Sequence, residues 1–192
     1  IVRSRKGLIN NEELDDSLGL ICRNAVESQS LTFTKERLNL NEVIFDTIQN
    51  NVWNQIDRDN KVKIIFEPKY EDSNIIYVEA ERNRLNQVIV NLISNAIKFT
   101  KDGIIVINIC ESKDGNHAIV TVKDTETGID PEIVPRLFHK FASRSFQGTG
   151  LGLFISRSII EGHGGKIWAE NNPNEIGATF EFSLPLTPHI SK

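Results

Sequence analysis

The chain has 192 residues, enough for one domain and a modest appendage, which excludes large barrels. Hydrophobic residues make up 39%, a share that supports a packed core rather than a disordered chain. Lys plus Arg number 22 against 26 for Asp plus Glu, and the net charge of -4 lacks the basic footprint of a nucleic-acid or anionic-membrane binder. Cys22 and Cys110 stand far apart with no paired ligand spacing, so zinc is not expected and both read as buried reduced thiols. No run approaches 18 apolar residues and no signal peptide opens the chain, so a cytoplasmic fragment is expected, with any membrane anchor outside it.

Residues 1–38 stand apart. Asn10-Asn11 followed by Glu12 and Glu13 signals a helix start, and Leu14, Leu18, Ile21 and Ala25 form a helical seam. A coiled coil and an ordinary amphipathic helix both fit that seam. Ile1 to Ile9 then ends a preceding helix, making the segment a fragment of a helical hairpin. From Leu40 the pattern becomes an alternation of helices and strands. Asn41 is read as the cap of a helix to about Asp57, with Ile44, Ile48, Val52 and Ile56 at spacings of four. Lys61 to Glu67 and Ile75 to Glu79 are short and β-rich, and read as a strand pair. A long helix follows over Glu81 to Phe99, then a hairpin of Ile104 to Glu111 and Ala118 to Val122 around Asp114-Gly115. Pro131 opens a short helix to about Phe138. A glycine-bearing loop, a helix from Leu151 to about Glu161 and strands Lys166 to Glu170 and Ala178 to Leu184 complete a domain over 39–187, leaving 188–192 as a tail. This order predicts a two-layer α/β sandwich with a mixed sheet.

The helix Glu81 to Phe99 separates its polar and apolar residues cleanly. With Asn91 at zero, Asn95 falls at about +40° and Lys98 at about -20°, while Leu85, Val88, Leu92, Ala96 and Phe99 take the neighbouring face. Asparagine costs a few tenths of a kcal/mol in a helix interior relative to better formers, so two of them one turn apart ask for a compensating use. Two amide oxygens and an ammonium can serve a metal-bound polyphosphate, because Mg²⁺ takes oxygen ligands and lysine neutralises phosphate. A solvated helix face looks the same in isolation. Gly148-Thr149-Gly150-Leu151-Gly152 leads into the next helix, where glycines let backbone N–H groups approach an anion and the helix N-terminus adds its dipole. Its spacing matches neither the dinucleotide fingerprint nor the P-loop, and glycines also serve ordinary turns. Asp124, at the end of an apolar strand and ahead of Thr125-Glu126-Thr127-Gly128-Ile129, can accept from an exocyclic amine. Adenine offers that donor where guanine presents a carbonyl, although an Asp also commonly begins a turn.

These segments resemble, in order and spacing, the ATP-binding domain of sensor histidine kinases. The N box is similar to Asn91-Leu92-Ile93-Ser94-Asn95-Ala96-Ile97-Lys98-Phe99 and the first glycine box to Asp124 to Gly128. The F box is similar to Leu137-Phe138-His139-Lys140-Phe141 and the second glycine box to Gly148 to Gly152. The resemblance covers about Leu40 to Leu186 and implies the Bergerat-type sandwich shared with gyrase and Hsp90-type ATPases, with helices on one face of the sheet and ATP and Mg²⁺ as cofactors. It implies Asn95 as the Mg²⁺ ligand, Asn91 and Lys98 at the phosphates, Asp124 on the adenine amine and Thr179 supporting the base. Gly128, Ile129, Phe141 and the run Gly148, Thr149, Gly150, Leu151, Gly152 would line the nucleotide. A lid would span His139 to Gln147, from which Lys140 and Arg144 could reach a γ-phosphate.

Two departures stand out. Glu126 occupies the first glycine of its box, which predicts weaker nucleotide binding and, if the position needs φ > 0, strain of about 1 to 2 kcal/mol. A catalytically impaired interaction module is the alternative that this residue raises. In addition, none of His117, His139, His163 and His189 has the family's acceptor context of a following acidic residue and proline. The resemblance therefore implies a kinase that phosphorylates a histidine upstream, on the dimerising hairpin whose end is residues 1–38, for relay to a response regulator receiver domain. A homodimer through residues 1–38 is a possible assembly. A clamp-type ATPase is disfavoured, since the chain stops soon after Leu186 with no transducer domain.

Overall fold

Alternating burial along the strands and 3-4 spacing of apolar residues along the helices generate the architecture seen in a computed structural model of the chain. The structure describes residues 33–52, 61–67, 75–142, 150–173 and 176–187. Two compact units are present, Ile1–Thr32 and Phe33–Lys192. The expected hairpin fragment therefore falls, as far as residue 32, outside the described residues, whereas residues 33–38 belong to the second unit. No helix among the described residues is long and apolar enough to cross a membrane.

Strand β1 (Glu36–Asn39) runs into helix α1 (Leu40–Thr47). The cap is Asn39 rather than Asn41: its Oδ1 accepts the N–H groups of Asn41 at 3.1 Å and Glu42 at 3.4 Å. Asn41 lies one position inside, where it is buried, because Leu40 already takes the helical conformation under the core. A π-helical turn, Ile48–Val52, follows α1. The rest of the expected helix, to Asp57, lies outside the described residues.

Strands β2 (Lys61–Glu67) and β3 (Tyr77–Ala80) do not pair with each other, contrary to the expected strand pair. β3 pairs antiparallel with β1, and β2 joins the main sheet parallel to β4 (Asp102–Glu111). The correction has a simple cause. Both strands alternate apolar residues in the same way, so period-two patterning identifies a buried face without naming the neighbour. The main sheet continues through β5 (His117–Asp124), β6 (Lys166–Asn171) and β7 (Ala178–Pro185) in the order β2-β4-β5-β7-β6, all antiparallel after the first pair. The β4–β5 hairpin turns at Asp114-Gly115, with Gly115 at φ +69° as the tight turn requires.

Helix α2 (Arg82–Phe99) buries Leu85, Val88, Ile89, Leu92, Ile93 and Ala96 against Ile105, Ile107, Val120, Val122 and Phe182 of the sheet. Burying each such side chain contributes about 1.5 to 3 kcal/mol. Helix α3 (Gly152–Gly162) packs beside α2 and adds Ile159 and Ile160 to the same core. The opposite sheet face is polar, where Thr121 Oγ1 and Trp168 Nε1 donate to the two oxygens of Glu181 at 3.0 and 2.6 Å. Two further expectations are corrected. Phe99, placed on the apolar face by periodicity, is 56% exposed because α2 ends there and the chain leaves the core. The segment after Pro131 forms only a 3₁₀ turn at Val134–Arg136, preceded by an Asp130 Oδ1 cap on the Glu132 N–H at 2.9 Å.

His163, at the C-terminal end of α3, is 3% exposed and joins distant parts of the fold. Its Nδ1–H donates to the Ile159 carbonyl at 2.8 Å, and its Nε2 accepts the Glu81 N–H at 3.0 Å. Glu81 is the N-cap of α2 and supplies no side-chain cap of its own, so the imidazole of α3 satisfies a donor at the start of α2. Only a neutral ring can do this. Burial lowers the His163 pKa from 6.5, partly opposed by the bond to Ile159, while Lys35 adds to the lowering and Glu81 opposes it. The folded pKa thus lies below the unfolded one, and the unfolded chain binds the extra proton as pH falls through 6.5. Stability at neutral pH should be retained on alkalinisation to pH 8 and lost progressively below pH ~6.5, with a slope of up to about 1.4 kcal/mol per pH unit from this group. Urea unfolding followed between pH 8 and 5 checks this; in His163→Gln the slope contributed by this residue should vanish.

Candidate nucleotide-binding site

The strand end at Asp124 is where the sheet delivers a carboxylate. Asp124 is 5% exposed, and its Oδ1 accepts the N–H groups of Glu126 at 3.1 Å and Ala178 at 3.2 Å. Among the described residues no hydrogen bond reaches Oδ2, so that oxygen keeps its capacity to accept. The backbone around it is held through Asn171, Asn172 and Gly177, which the sequence did not single out, together with Thr179, which it did. Asn172 Nδ2 donates to the Asp124 carbonyl at 2.9 Å, and Thr179 Oγ1 donates to Asn172 Oδ1 at 2.6 Å. Asn171 bonds Ile129 twice, accepting its N–H at 2.6 Å and donating to its carbonyl at 2.8 Å. Gly177 sits at φ +121°, and a Cβ there would lie 2.1 Å from the Asp124 carbonyl oxygen. The Asn171-Asn172-Pro173 run before Gly177 was the available signal, but in sequence it reads only as a turn between strands.

Gly128 takes φ +75°, and a Cβ there would meet Asn171 Oδ1 at 2.8 Å. The strain Glu126 would carry at positive φ is absent. Among the described residues the one non-glycine position with positive φ is Phe141, so Glu126 carries no left-handed strain. Its Oε1 accepts the Asp102 N–H at 3.1 Å, at the first residue of β4, while Thr125 Oγ1 accepts the Ile104 N–H at 3.0 Å. The carboxylate is thus used to tie the box to the neighbouring strand, and the reading of Glu126 as a lesion in the site gains no support.

The polar stripe of α2 faces α3. Asn91 Nδ2 donates to Ser156 Oγ at 3.0 Å, and Asn91 Oδ1 lies 2.3 Å from where a Cβ of Gly152 would be. Gly152 therefore admits the Asn91 side chain as well as opening a helix. Asn95, one turn on, is half-buried and makes no hydrogen bond among the described residues. Lys98 is exposed in the last turn, its Nζ 5.7 Å from the centre of the Phe99 ring. Gly150, at φ +65°, lets the Phe141 backbone approach: Phe141 N–H donates to the Gly150 carbonyl at 3.1 Å, and a Cβ on Gly150 would lie 2.8 Å from Phe141. Leu151 is buried.

Gly148, Thr149 and Arg144 lie outside the described residues, as does residue 143 onward of the expected lid. Lys140 is described. Its Nζ lies 5.2 Å from the Phe154 ring centre, in a cavity of about 430 Å³ lined also by Phe138, His139, Arg157, Ser158 and Glu161. Neither Asn91, Asn95 nor Asp124 lines that cavity. Because α2 packs against both β5 and α3, the fold brings the Asp124 strand and the Asn91/Asn95 stripe onto neighbouring elements.

Residues 80–188, more than half of the chain, match the family model described as histidine kinase-, DNA gyrase B-, and HSP90-like ATPase. The chain is similar to phytochrome-like protein Cph1 of Synechocystis sp., at 42% identity over 113 residues, covering 57% of this chain and 15% of that protein. It is also similar to sensor protein FixL of Bradyrhizobium diazoefficiens, at 42% over 112 residues, covering 56% and 22%. Sporulation kinase A of Bacillus subtilis matches at 38% over 122 residues, covering 64% and 20%. The chain thus spans well under a third of the length of these relatives. Among solved structures, the catalytic domain of histidine kinase ThkA superposes with a TM-score of 0.67 at 36% identity, covering 79% of this chain and 95% of that one. ThkA in complex with response regulator protein TrrA gives a TM-score of 0.68 at 29% identity, covering 99% and 55%. A strand-end carboxylate, an asparagine-bearing helix beside a glycine-led helix and these matches together make the chain a member of the histidine kinase-, DNA gyrase B- and HSP90-like ATPase family, carrying the ATP-binding catalytic domain of a histidine kinase.

Proposed function

We propose that this domain holds ATP with its adenine amine on Asp124 and its phosphates along Asn91, Asn95 and Lys98, and that the parent protein transfers the γ-phosphoryl group to a histidine outside residues 1–192. The observation that carries the reading is the state of Asp124: a nearly buried carboxylate with one oxygen committed to two backbone donors and the other open. A buried acceptor left without a donor costs about 1 to 3 kcal/mol, and an adenine N6–H supplies the donor that guanine lacks. Thr179, whose proton is given to Asn172, keeps its lone pairs for the base edge, and Gly128 and Ile129 flank it.

Mg²⁺ fits the donor set at Asn95. An amide oxygen is a hard ligand, Asn95 has no competing hydrogen bond among the described residues, and a single protein oxygen suits an ion whose remaining positions are filled by phosphates and water. When bound, the ion would offset charge developing on the phosphoryl oxygens. Lys98 adds a cation at the end of the same stripe, and Arg144 remains the lid cation of this proposal. In the geometry described, Lys140 belongs to the cavity beside Phe154. The acceptor imidazole nitrogen forms the new P–N bond as the bond between the γ-phosphorus and the β,γ-bridging oxygen breaks and ADP leaves.

Residues 1–38 then contribute the end of a dimerising, acceptor-bearing hairpin, and the phosphoryl group passes to a response regulator receiver domain. The ThkA structure with a response regulator supports that partner class. The isolated chain should bind Mg·ATP without phosphorylating itself; radiolabelled ATP should label a supplied acceptor hairpin and leave this chain unlabelled. In calorimetric titrations with and without Mg²⁺, Asn95→Ala should remove most of the Mg²⁺ enhancement of ATP binding. Asp124→Asn should weaken ATP at least about tenfold by replacing an acceptor oxygen with a donor in a buried position. Unchanged binding in both would refute the assigned roles. Glu126→Gly should bind Mg·ATP within about twofold of the native chain, since the native side chain is engaged with β4; a large gain in affinity would restore the view that Glu126 impairs the site.

A further inference from the structure

Ser156 is a buried hydroxyl on the core-facing side of α3, among Ile159 and Ile160, and it is 1% exposed. A hydroxyl in such a place costs free energy unless it is hydrogen-bonded. Its partner among the described residues is Asn91 Nδ2, at 3.0 Å. The contact is built from three sides. Gly152, one turn earlier on α3, leaves the space that Asn91 Oδ1 occupies, since a Cβ there would come within 2.3 Å of that oxygen. Ser156 Oγ accepts the amide NH₂, which ties the Nδ2 end of the Asn91 side chain to α3 while Oδ1 takes the space beside Gly152. His163, at the far end of α3, accepts the Glu81 N–H at the start of α2, so the two antiparallel helices are locked in register at both ends of their contact. Asn95 makes no corresponding bond to α3 among the described residues.

We infer that Ser156 is a positioning residue for the nucleotide site, acting through Asn91 by holding its amide in one orientation before ATP arrives. The inference rests on the proposed phosphate-side role of Asn91. Without the hydroxyl, the amide can rotate about its last side-chain bond and present either end to the phosphates, and the cost of ordering it shifts to the binding step. The stripe thus divides its labour: Asn91 is pre-set by α3, while Asn95 is left free to take an incoming ligand.

The test is a double-mutant cycle on the full chain, with Asn91→Ala, Ser156→Ala, Ser156→Cys and the Asn91→Ala/Ser156→Ala pair. Each is titrated with Mg·ATP and, separately, with adenosine, which has the ring and no phosphate; thermal melting monitors folding. Ser156→Ala and Ser156→Cys should each weaken Mg·ATP by about fivefold, the scale of one hydrogen bond, and leave adenosine unchanged. The pair should bind no more weakly than Asn91→Ala alone, because Ser156 acts through that residue. Cysteine keeps the side-chain volume without a strong acceptor, so it decides the matter if the alanine variant is too unstable to titrate. If Asn91→Ala weakens Mg·ATP while the Ser156 variants do not, or if the losses add, the positioning role is refuted and the site stands. If Asn91→Ala binds Mg·ATP as the native chain does, the phosphate-side reading itself fails and the inference falls with it.

Discussion

A carboxylate taken almost wholly out of water at the end of a strand must find donors, and much of this domain's site is the answer to that requirement. Asp124 draws the Glu126 N–H from its own turn and the Ala178 N–H from the start of β7 onto a single oxygen. Its carbonyl is held in turn by Asn172. Two segments far apart in sequence, the end of β5 with its turn and the stretch from Asn172 to Ala178, therefore converge on one residue, and the glycine at 177 exists because any side chain there would collide with that carbonyl. The convergence leaves the second oxygen as an unspent acceptor on a nearly buried residue. In such surroundings a matched donor is worth more than at the surface, and a mismatched one is penalised.

The other half of the proposed site depends on how closely two helices can approach. α2 and α3 touch through polar groups at both ends of their contact, Asn91 with Ser156 and Glu81 with His163. Apolar packing between them would tolerate small slips, since dispersion contacts are non-directional. Hydrogen bonds with fixed donors and acceptors do not, and so the stripe carrying Asn91 and Asn95 is held in one register relative to the glycine-led end of α3. Phe33 packs at a tilt against the His163 ring with centroids 4.3 Å apart and occupies the space beside Gly162. The first described residues of the domain thus reach the same joint.

The glycines of the two boxes do different work. Gly128 and Gly150 hold positive φ and bring backbone close to Asn171 and Phe141, so they are required by conformation as well as by space. Gly152 is helical and is required by a side chain from another helix. Reading Gly148 to Gly152 as one phosphate cradle was natural in sequence, because spacing reports where glycines are and says nothing of what each one makes room for. Glu126 teaches the converse: a residue that seems misplaced among glycines is accommodated at ordinary φ and bonded to β4.

Local chemistry determined a good deal on its own. The 3.6-residue period placed Leu85, Val88, Leu92 and Ala96 inside and Asn91 and Asn95 on an adjoining stripe, and short β-rich runs between turn residues found every strand of the main sheet. These signals are carried by neighbours in the chain, and so they survive without knowledge of the fold. Tertiary structure alone decided the parallel pairing of β2 with β4, the exposure of Phe99, the departure of Lys140 toward Phe154, and the Asn171, Asn172, Ser156 and His163 contacts. Each of these is a choice of partner across tens of residues, and the same alternation, the same asparagine or the same histidine is compatible with many partners until packing selects one.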